Sequence, residues 1–138
     1  MPPLQIDTHT HVGQTIHLQH SRLDDRSLEI KANAVGVEFD DSLWKQSSDR
    51  IAKLGLSATA RIIHGDLLLQ DYSDADLLTV YLLPMSNDKV TPILEKQLKK
   101  GTRIVAHDFE FSAWKPEKIQ DIDDDGEGRS HRLYLYRR

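Results

Sequence analysis

From residue 34 to residue 106 the chain alternates short runs of β-branched and aliphatic residues with longer amphipathic stretches, the rhythm of a sheet connected by crossover helices. Ala34-Val-Gly-Val-Glu-Phe39 reads as a strand ending in acid residues. Asp41 then stands at a helix N-cap, Leu43, Trp44, Ile51 and Leu54 share one helical face, and Gly55 is placed for a left-handed C-terminal cap. Ala60-Arg-Ile-Ile-His64 is a second strand, and Asp76-Leu-Leu-Thr-Val-Tyr-Leu-Leu83 is a third that stops at Pro84. Its continuous apolarity predicts burial on both faces. The next helix ends in Lys99-Lys100-Gly101, with Pro92 accommodated if Thr91 caps its regular part. Thr102-Arg-Ile-Val-Ala106 is a fourth strand.

The end of the chain changes style. Lys118-Ile-Gln-Asp-Ile122 and His131-Arg-Leu-Tyr-Leu-Tyr136 flank an acidic turn containing glycine, which predicts an antiparallel hairpin. Tyr134 and Tyr136 alternate with Leu133 and Leu135 as on an edge strand. At 138 residues there is room for one domain, in which residues 1–33 do not share the rhythm of residues 34–138. The expected fold is α/β, a mostly parallel Rossmann-like sheet with a C-terminal antiparallel hairpin. A gap at its centre would expose neighbouring strand edges, so residues 4–18 must restore a strand there or self-association follows.

Eighteen basic against twenty-two acidic residues leave a net charge of −4, which argues against a general nucleic-acid surface. The absence of cysteine excludes disulfides, thiolate metal sites and a cysteine nucleophile. No apolar run approaches the ~20 residues that span a bilayer, and no secretory pattern opens the chain. An intracellular soluble protein, cytoplasmic or mitochondrial, is expected.

In an open α/β sheet ligands gather beyond the carboxyl ends of the strands. The residues there are Glu38, Asp66, Tyr81 to Pro84 and His107 to Phe109. A carboxylate in the position of Glu38 can accept both hydroxyls of a ribose, Asp66 can accept from an adenine amine, and Phe39 can cover the adenine face. Each residue also has an ordinary reading as a helix cap or solvated turn. Trp44 and Trp114 read as packing anchors.

Taken together, Ala34-Val-Gly-Val-Glu-Phe-Asp40, His64-Gly-Asp-Leu67, Ala75-Asp-Leu-Leu-Thr-Val-Tyr-Leu-Leu-Pro84, the His107-Asp-Phe109 segment and Trp114-Lys-Pro116 resemble the class I S-adenosylmethionine-dependent methyltransferases. The similarity is to small bacterial members and to eukaryotic protein-lysine methyltransferases acting on mitochondrial membrane proteins. It implies S-adenosylmethionine as cofactor, with Glu38 on the ribose, Phe39 on the adenine, and Asp66 and Leu67 at the adenine edge. It also implies a methyl-acceptor substrate, a protein lysine, with Tyr81 facing the methyl-transfer site; an amine acceptor must lose its proton, and Tyr81, His107 or Asp108 can orient it or accept that proton. Aligning a nucleophile with a sulfonium methyl is largely a proximity effect, worth up to ~7–11 kcal/mol.

The family carries a glycine-rich loop after its first strand, which lets the backbone approach the methionine part of the cofactor. In this chain that region, residues 12–25, offers only Gly13, with Ile16, Leu18 and His20 where bare backbone is needed. The alternative reading is therefore a non-catalytic remnant of the fold serving as a binding or assembly subunit. His9 and His11 mimic the His-x-His of metal-dependent amidohydrolases, but those build their site on a barrel of at least ~200 residues, so no metal site is expected.

Overall fold

The computed structural model describes the backbone of residues 14–23 and 30–138 and the side chains of residues 33–138. The elements are β1 (Gln14–Leu23), β2 (Ile30–Glu38), α1 (Asp41–Lys53), β3 (Ala60–His64), β4 (Leu77–Tyr81), α2 (Pro84–Gln97), β5 (Arg103–His107), β6 (Lys118–Ile122) and β7 (His131–Arg137). All strands belong to one sheet in the spatial order β3-β2-β1-β4-β5-β7-β6. β2 pairs in parallel with β3, and β4 with β5. β1 is antiparallel to both β2 and β4, and β7 is antiparallel to both β5 and β6. It follows that β2 to β6 share one direction and only β1 and β7 run against it. The expected α/β sheet, mostly parallel with a C-terminal hairpin, is what the chain forms.

Thr15 to Leu18 pair on both sides, with Thr15 opposite Val37 of β2 and Val80 of β4. The central gap is thus filled, but by a strand of reversed direction. The physical reason is connection length: only residues 24–29 separate β1 from β2, whereas a parallel crossover needs about a dozen residues or more. With β1 in place the facing edges of β2 and β4 are hydrogen-bonded, which removes the bare edges on which the self-association argument rested. His9, His11 and Gly13 lie outside the described residues, and of Ile16, Leu18 and His20 only the backbone is described.

Both helices begin differently from the sequence expectation. The N-cap of α1 is Asp40, not Asp41: its extended backbone lets the carboxylate accept the Leu43 N–H at 2.9 Å, while Asp41 enters the first turn and pairs with Lys45. Gly55 has the expected positive φ, +71°, but Leu54 is largely exposed rather than part of the packed face. α2 starts with Pro84 in its first turn and continues through Pro92. The interior proline is tolerated because Val90, Thr91 and Leu94 are buried around it, and burial of such side chains offsets a penalty of ~3 kcal/mol. The helix ends at Gln97, so Gly101, φ +92°, belongs to the following turn rather than to the cap.

The core forms where α2 covers β4 and β5. Leu78, Val80, Ile104 and Ala106 are buried with Val90 and Leu94 of the helix. β4 is shorter than expected and buried on alternate residues only, with Leu77, Thr79 and Tyr81 half-buried, so full burial on two faces is not found. β7 also departs from expectation, because it lies inside the sheet and β6 is the edge. Tyr136 is accordingly buried, and its hydroxyl accepts the Phe111 N–H at 2.8 Å. The tryptophans are packing anchors as read: Trp114 stacks on Phe111 at 4.5 Å, and Trp44 donates to the Ile62 carbonyl at 2.9 Å.

Tyr136→Phe keeps the ring but strips the buried Phe111 N–H of its acceptor. The expected cost is ~1–3 kcal/mol of unfolding free energy, read as a lower denaturant midpoint with an unchanged slope.

Candidate active site

Because β2, β3, β4 and β5 run the same way, their carboxyl ends share one edge, and Glu38, His64, Tyr81 and His107 are their last residues. Glu38 is buried, at 5% exposure. One carboxylate oxygen accepts the Asp40 N–H at 3.1 Å and so supports the start of α1. The other is buried without a hydrogen-bond partner among the described residues. An unpaired buried carboxylate oxygen is costly unless a ligand completes it. Beside it Phe39 is 76% exposed, a large ring left uncovered.

Asp66 lies just past β3 and caps a short 3₁₀ turn (Leu67–Leu69), accepting the Leu68 N–H at 2.8 Å. The carbonyl of Leu67 is engaged by the hydroxyl of Tyr72. Burial, with the nearby charge of Asp66, pushes the Tyr72 phenol well above its usual range, so it remains a donor. Leu69, Leu83 and Met85 are also exposed and follow the ends of β3 and β4. With Phe39 they give this edge an apolar rim.

At the other end of the edge the Tyr81 ring packs 4.5 Å from His107 and 6.2 Å from Phe109. Asp108 has φ +63°, in a three-residue turn closed by the Phe109 N–H on the His107 carbonyl at 2.8 Å. Such turns are rare for a residue with a Cβ and store strain. Asn87 of α2 secures the following backbone by donating to the carbonyls of Phe109 and Glu110 at 3.2 and 3.1 Å. One carboxylate oxygen of Asp108 accepts the Arg132 N–H at 2.9 Å. The other meets Nδ1 of His131 at 2.9 Å and lies 3.5 Å from Nε2 of His107. Nε2 of His131 meets Asp125 at 3.0 Å.

The charges follow from these contacts. Two carboxylates can only accept, so His131 donates from both ring nitrogens, and its pKa is raised by the bond to Asp108 and then by that to Asp125. Burial lowers the pKa of His107, opposed by Asp108 and assisted by the His131 charge. Burial works to raise Asp108, but hydrogen bonds from His131 and the Arg132 backbone hold it below the usual carboxylate value. Asp125 is held low by the Glu127 N–H and by His131.

The sequence-derived residues therefore fall into two groups on one edge: Glu38, Phe39, Asp66 and Leu67 at one end, Tyr81, His107 and Asp108 at the other. His131, Asp125 and Asn87 were not anticipated. Their partners lie 23, 6 and 22 to 23 residues away, and only the acidic turn itself was visible as a signal. A cleft of about 550 Å³ beside His131 is lined by Asp108, Asp121, Asp123, Ser130 and Tyr134 among others, and none of Glu38, Phe39, Asp66 or Tyr81 lines it.

Residues 23–118 match the family described as the ANTKMT methyltransferase domain. The chain is 38% identical over 103 residues to a protein-lysine N-methyltransferase of Saccharolobus islandicus (strain REY15A), covering 75% of this chain and 63% of that protein. Among solved structures it is similar to an RNA methyltransferase from Salinibacter ruber in complex with S-adenosyl-L-homocysteine, with a TM-score of 0.66, 35% identity, and coverage of 75% of this chain and 63% of the other. It shares its fold with the M1A22 tRNA methyltransferase TrmK of B. subtilis at a TM-score of 0.55, 16% identity, and coverage of 73% and 47%. The chain thus spans under two thirds of the length of these relatives.

A raised folded pKa at His131 gives stability that is complete below its ordinary value of ~6.5 and is lost as pH rises through the folded value. His107, lowered, acts in the opposite sense and costs stability as pH falls from ~6.5 through its folded value. Urea midpoints between pH 5 and 9 should therefore show an alkaline decline that is smaller in His131→Gln, with an acid limb that weakens but persists, because burial alone still lowers His107.

Proposed function

This chain belongs to the family of ANTKMT methyltransferase domains, and on that premise we propose that it binds S-adenosylmethionine at the ends of β2 and β3 and directs methyl transfer to a protein lysine beside Tyr81 and His107. The observation that carries the proposal is the buried carboxylate oxygen of Glu38, which has no hydrogen-bond partner among the described residues. When bound, the cofactor supplies an electrophilic methyl group on a positively charged sulfur.

The residues present suit that group's nucleoside half. The free oxygen of Glu38 is available to ribose hydroxyls while its other oxygen stays on Asp40. Phe39 offers an exposed ring for the adenine, and the carboxylate of Asp66 and the backbone of Leu67 stand at its edge. The methionine half is assigned to no described residue.

At the acceptor end, an incoming lysine must be uncharged to be nucleophilic. His107, whose Nε2 lies 3.5 Å from Asp108, is the group at this end that can accept the proton lost from the lysine ammonium. The bound cofactor would supply the methyl carbon to the lysine nitrogen, and the electron pair of its carbon–sulfur bond would leave with sulfur. The lowered pKa of His107 keeps the imidazole neutral at neutral pH. Tyr81 forms the apolar wall against which the lysine stem packs. The protein-lysine acceptor is supported by the Saccharolobus relative and by a net charge of −4, which suits a basic protein segment better than a phosphate backbone.

Calorimetric titration with S-adenosylhomocysteine tests the reading. Glu38→Ala and Glu38→Gln should each weaken binding at least ~ten-fold, since a charge-assisted hydrogen bond is worth ~1.5–3 kcal/mol. Without ligand, Glu38→Gln should melt no lower than the native protein, because it removes an incompletely paired buried charge. Unchanged affinity with a lowered melting temperature would reduce Glu38 to helix electrostatics. No binding to the native chain at millimolar ligand would favour the non-catalytic remnant, and labelled methyl groups recovered in RNA but not in protein would sink the lysine assignment.

A further inference from the structure

We infer that His131, bridging Asp108 and Asp125, is a positioning residue for methyl transfer: it fixes the Asp108 carboxylate and, across a ring edge, sets His107 against Tyr81. The inference rests on the methyl-transfer reading and adds to it a residue that lies on the hairpin, outside the strand ends where ligands gather.

The geometry is that of a clamp. Asp108 occupies a strained turn at the end of β5, and both its oxygens are docked on the first two residues of β7, Oδ1 on the Arg132 N–H and Oδ2 on His131. Asp125 is in turn immobilised by the N–H groups of Glu127 and Arg129, at 2.8 and 3.2 Å, and by the Arg129 guanidinium at 3.0 Å. The imidazole is therefore held from a rigid side and transmits that rigidity to Asp108. Its ring also meets His107 edge-on, with centroids 4.6 Å apart, and His107 packs on Tyr81 from its own side. The charged and titratable groups facing His131 are Asp108 and His107 from β5, Asp125 from the turn, and Asp121 and Asp123 from β6 and the residue after it. Asp121 is neutralised by Arg132 at 2.6 Å. An imidazolium at this position opposes a second proton on His107, which keeps that ring an acceptor while Asp108 orients it.

Donor atoms of His107, Asp108 and His131 lie within 4.8 Å of one another, a spacing that a metal ion could also use. Both nitrogens of His131 already meet carboxylates, and that favours a shared proton over an ion.

The test uses the full chain with labelled histidine. An asparagine amide reaches roughly where Nδ1 stood and a glutamine amide where Nε2 stood, so His131→Asn retains the bond to Asp108 and His131→Gln the bond to Asp125. Ring titration by NMR should place the His107 midpoint below ~6.5 in the native protein and move it upward in His131→Ala and His131→Gln. With a lysine-containing basic peptide as acceptor, kcat should fall at least ~ten-fold in His131→Ala and His131→Gln while KM and the affinity for S-adenosylhomocysteine stay within about two-fold. His131→Asn should recover part of kcat and shift the pH–rate profile. Should His131→Ala not fold, the Asn and Gln variants carry the comparison. An unmoved His107 midpoint, or a lower melting temperature with unchanged kcat, would overturn the inference, as would micromolar zinc shifting both histidine signals together. Failure of the native protein to bind S-adenosylhomocysteine would instead refute the methyl-transfer reading, while the His107 midpoint still decides whether the clamp operates.

Discussion

The backbone hydrogen bonds that β1 makes to β2 on one side and to β4 on the other join two parallel strand pairs into one sheet. Without that ladder, β2 with β3 would be a two-stranded ribbon cut off from the four-stranded remainder β4-β5-β7-β6, and a pair of strands is marginal in water. The ladder also aligns the strand ends, because Thr15 faces Val37 and Val80 together. Glu38 and Tyr81, each one residue further on, consequently finish at the same edge. The reversed direction of β1 follows from a short connection, and because β1 is antiparallel to both neighbours the four strands ending in Glu38, His64, Tyr81 and His107 still share one direction.

Much of that edge was legible in the sequence, since the residues that define it sit at strand ends and strand ends are local features. Glu38, Asp66 and His107 could each be read from an apolar run and the polar residue that stops it, whereas Tyr81 lay inside a run read as far as Leu83 although the strand ends at Tyr81 itself. What escaped depended on contacts across the chain. Nothing near His131 announces that Asp108, 23 residues earlier, accepts from it. The place of Tyr136 inside the sheet is set by the return of the hairpin onto β5, which alternation alone cannot distinguish from an edge. Smaller errors came from degenerate choices: Asp40 and Asp41 are both capping residues, and Pro84 competes with Pro92 for the first helical turn.

The residues of the site carry structural work as well. One oxygen of Glu38 supports the start of α1, Asp66 caps a 3₁₀ turn, and Asp108 binds the hairpin to the end of β5. Ordinary and functional readings of such residues are therefore not exclusive, and what separates them is the bonding capacity left over. Asp66 and Asp108 already accept protein donors, whereas among the described residues the second oxygen of Glu38 is buried with none, as is the side-chain oxygen of Asn87 towards the other end of the edge.

The apolar rim formed by Phe39, Leu69, Leu83 and Met85 bears on how the protein behaves in solution. These side chains follow β2, β3 and β4, so the edge presents a greasy margin beside the buried Glu38 carboxylate, a surface prone to nonspecific contacts at high concentration. A nucleoside seated across it would bind the folded state alone and add stability that grows with the logarithm of its concentration, ~2.7 kcal/mol at a hundred times its dissociation constant. Shelf life and crystallisability would then be governed by ligand occupancy of this edge, and the buffer in which the chain is concentrated becomes part of its structural chemistry.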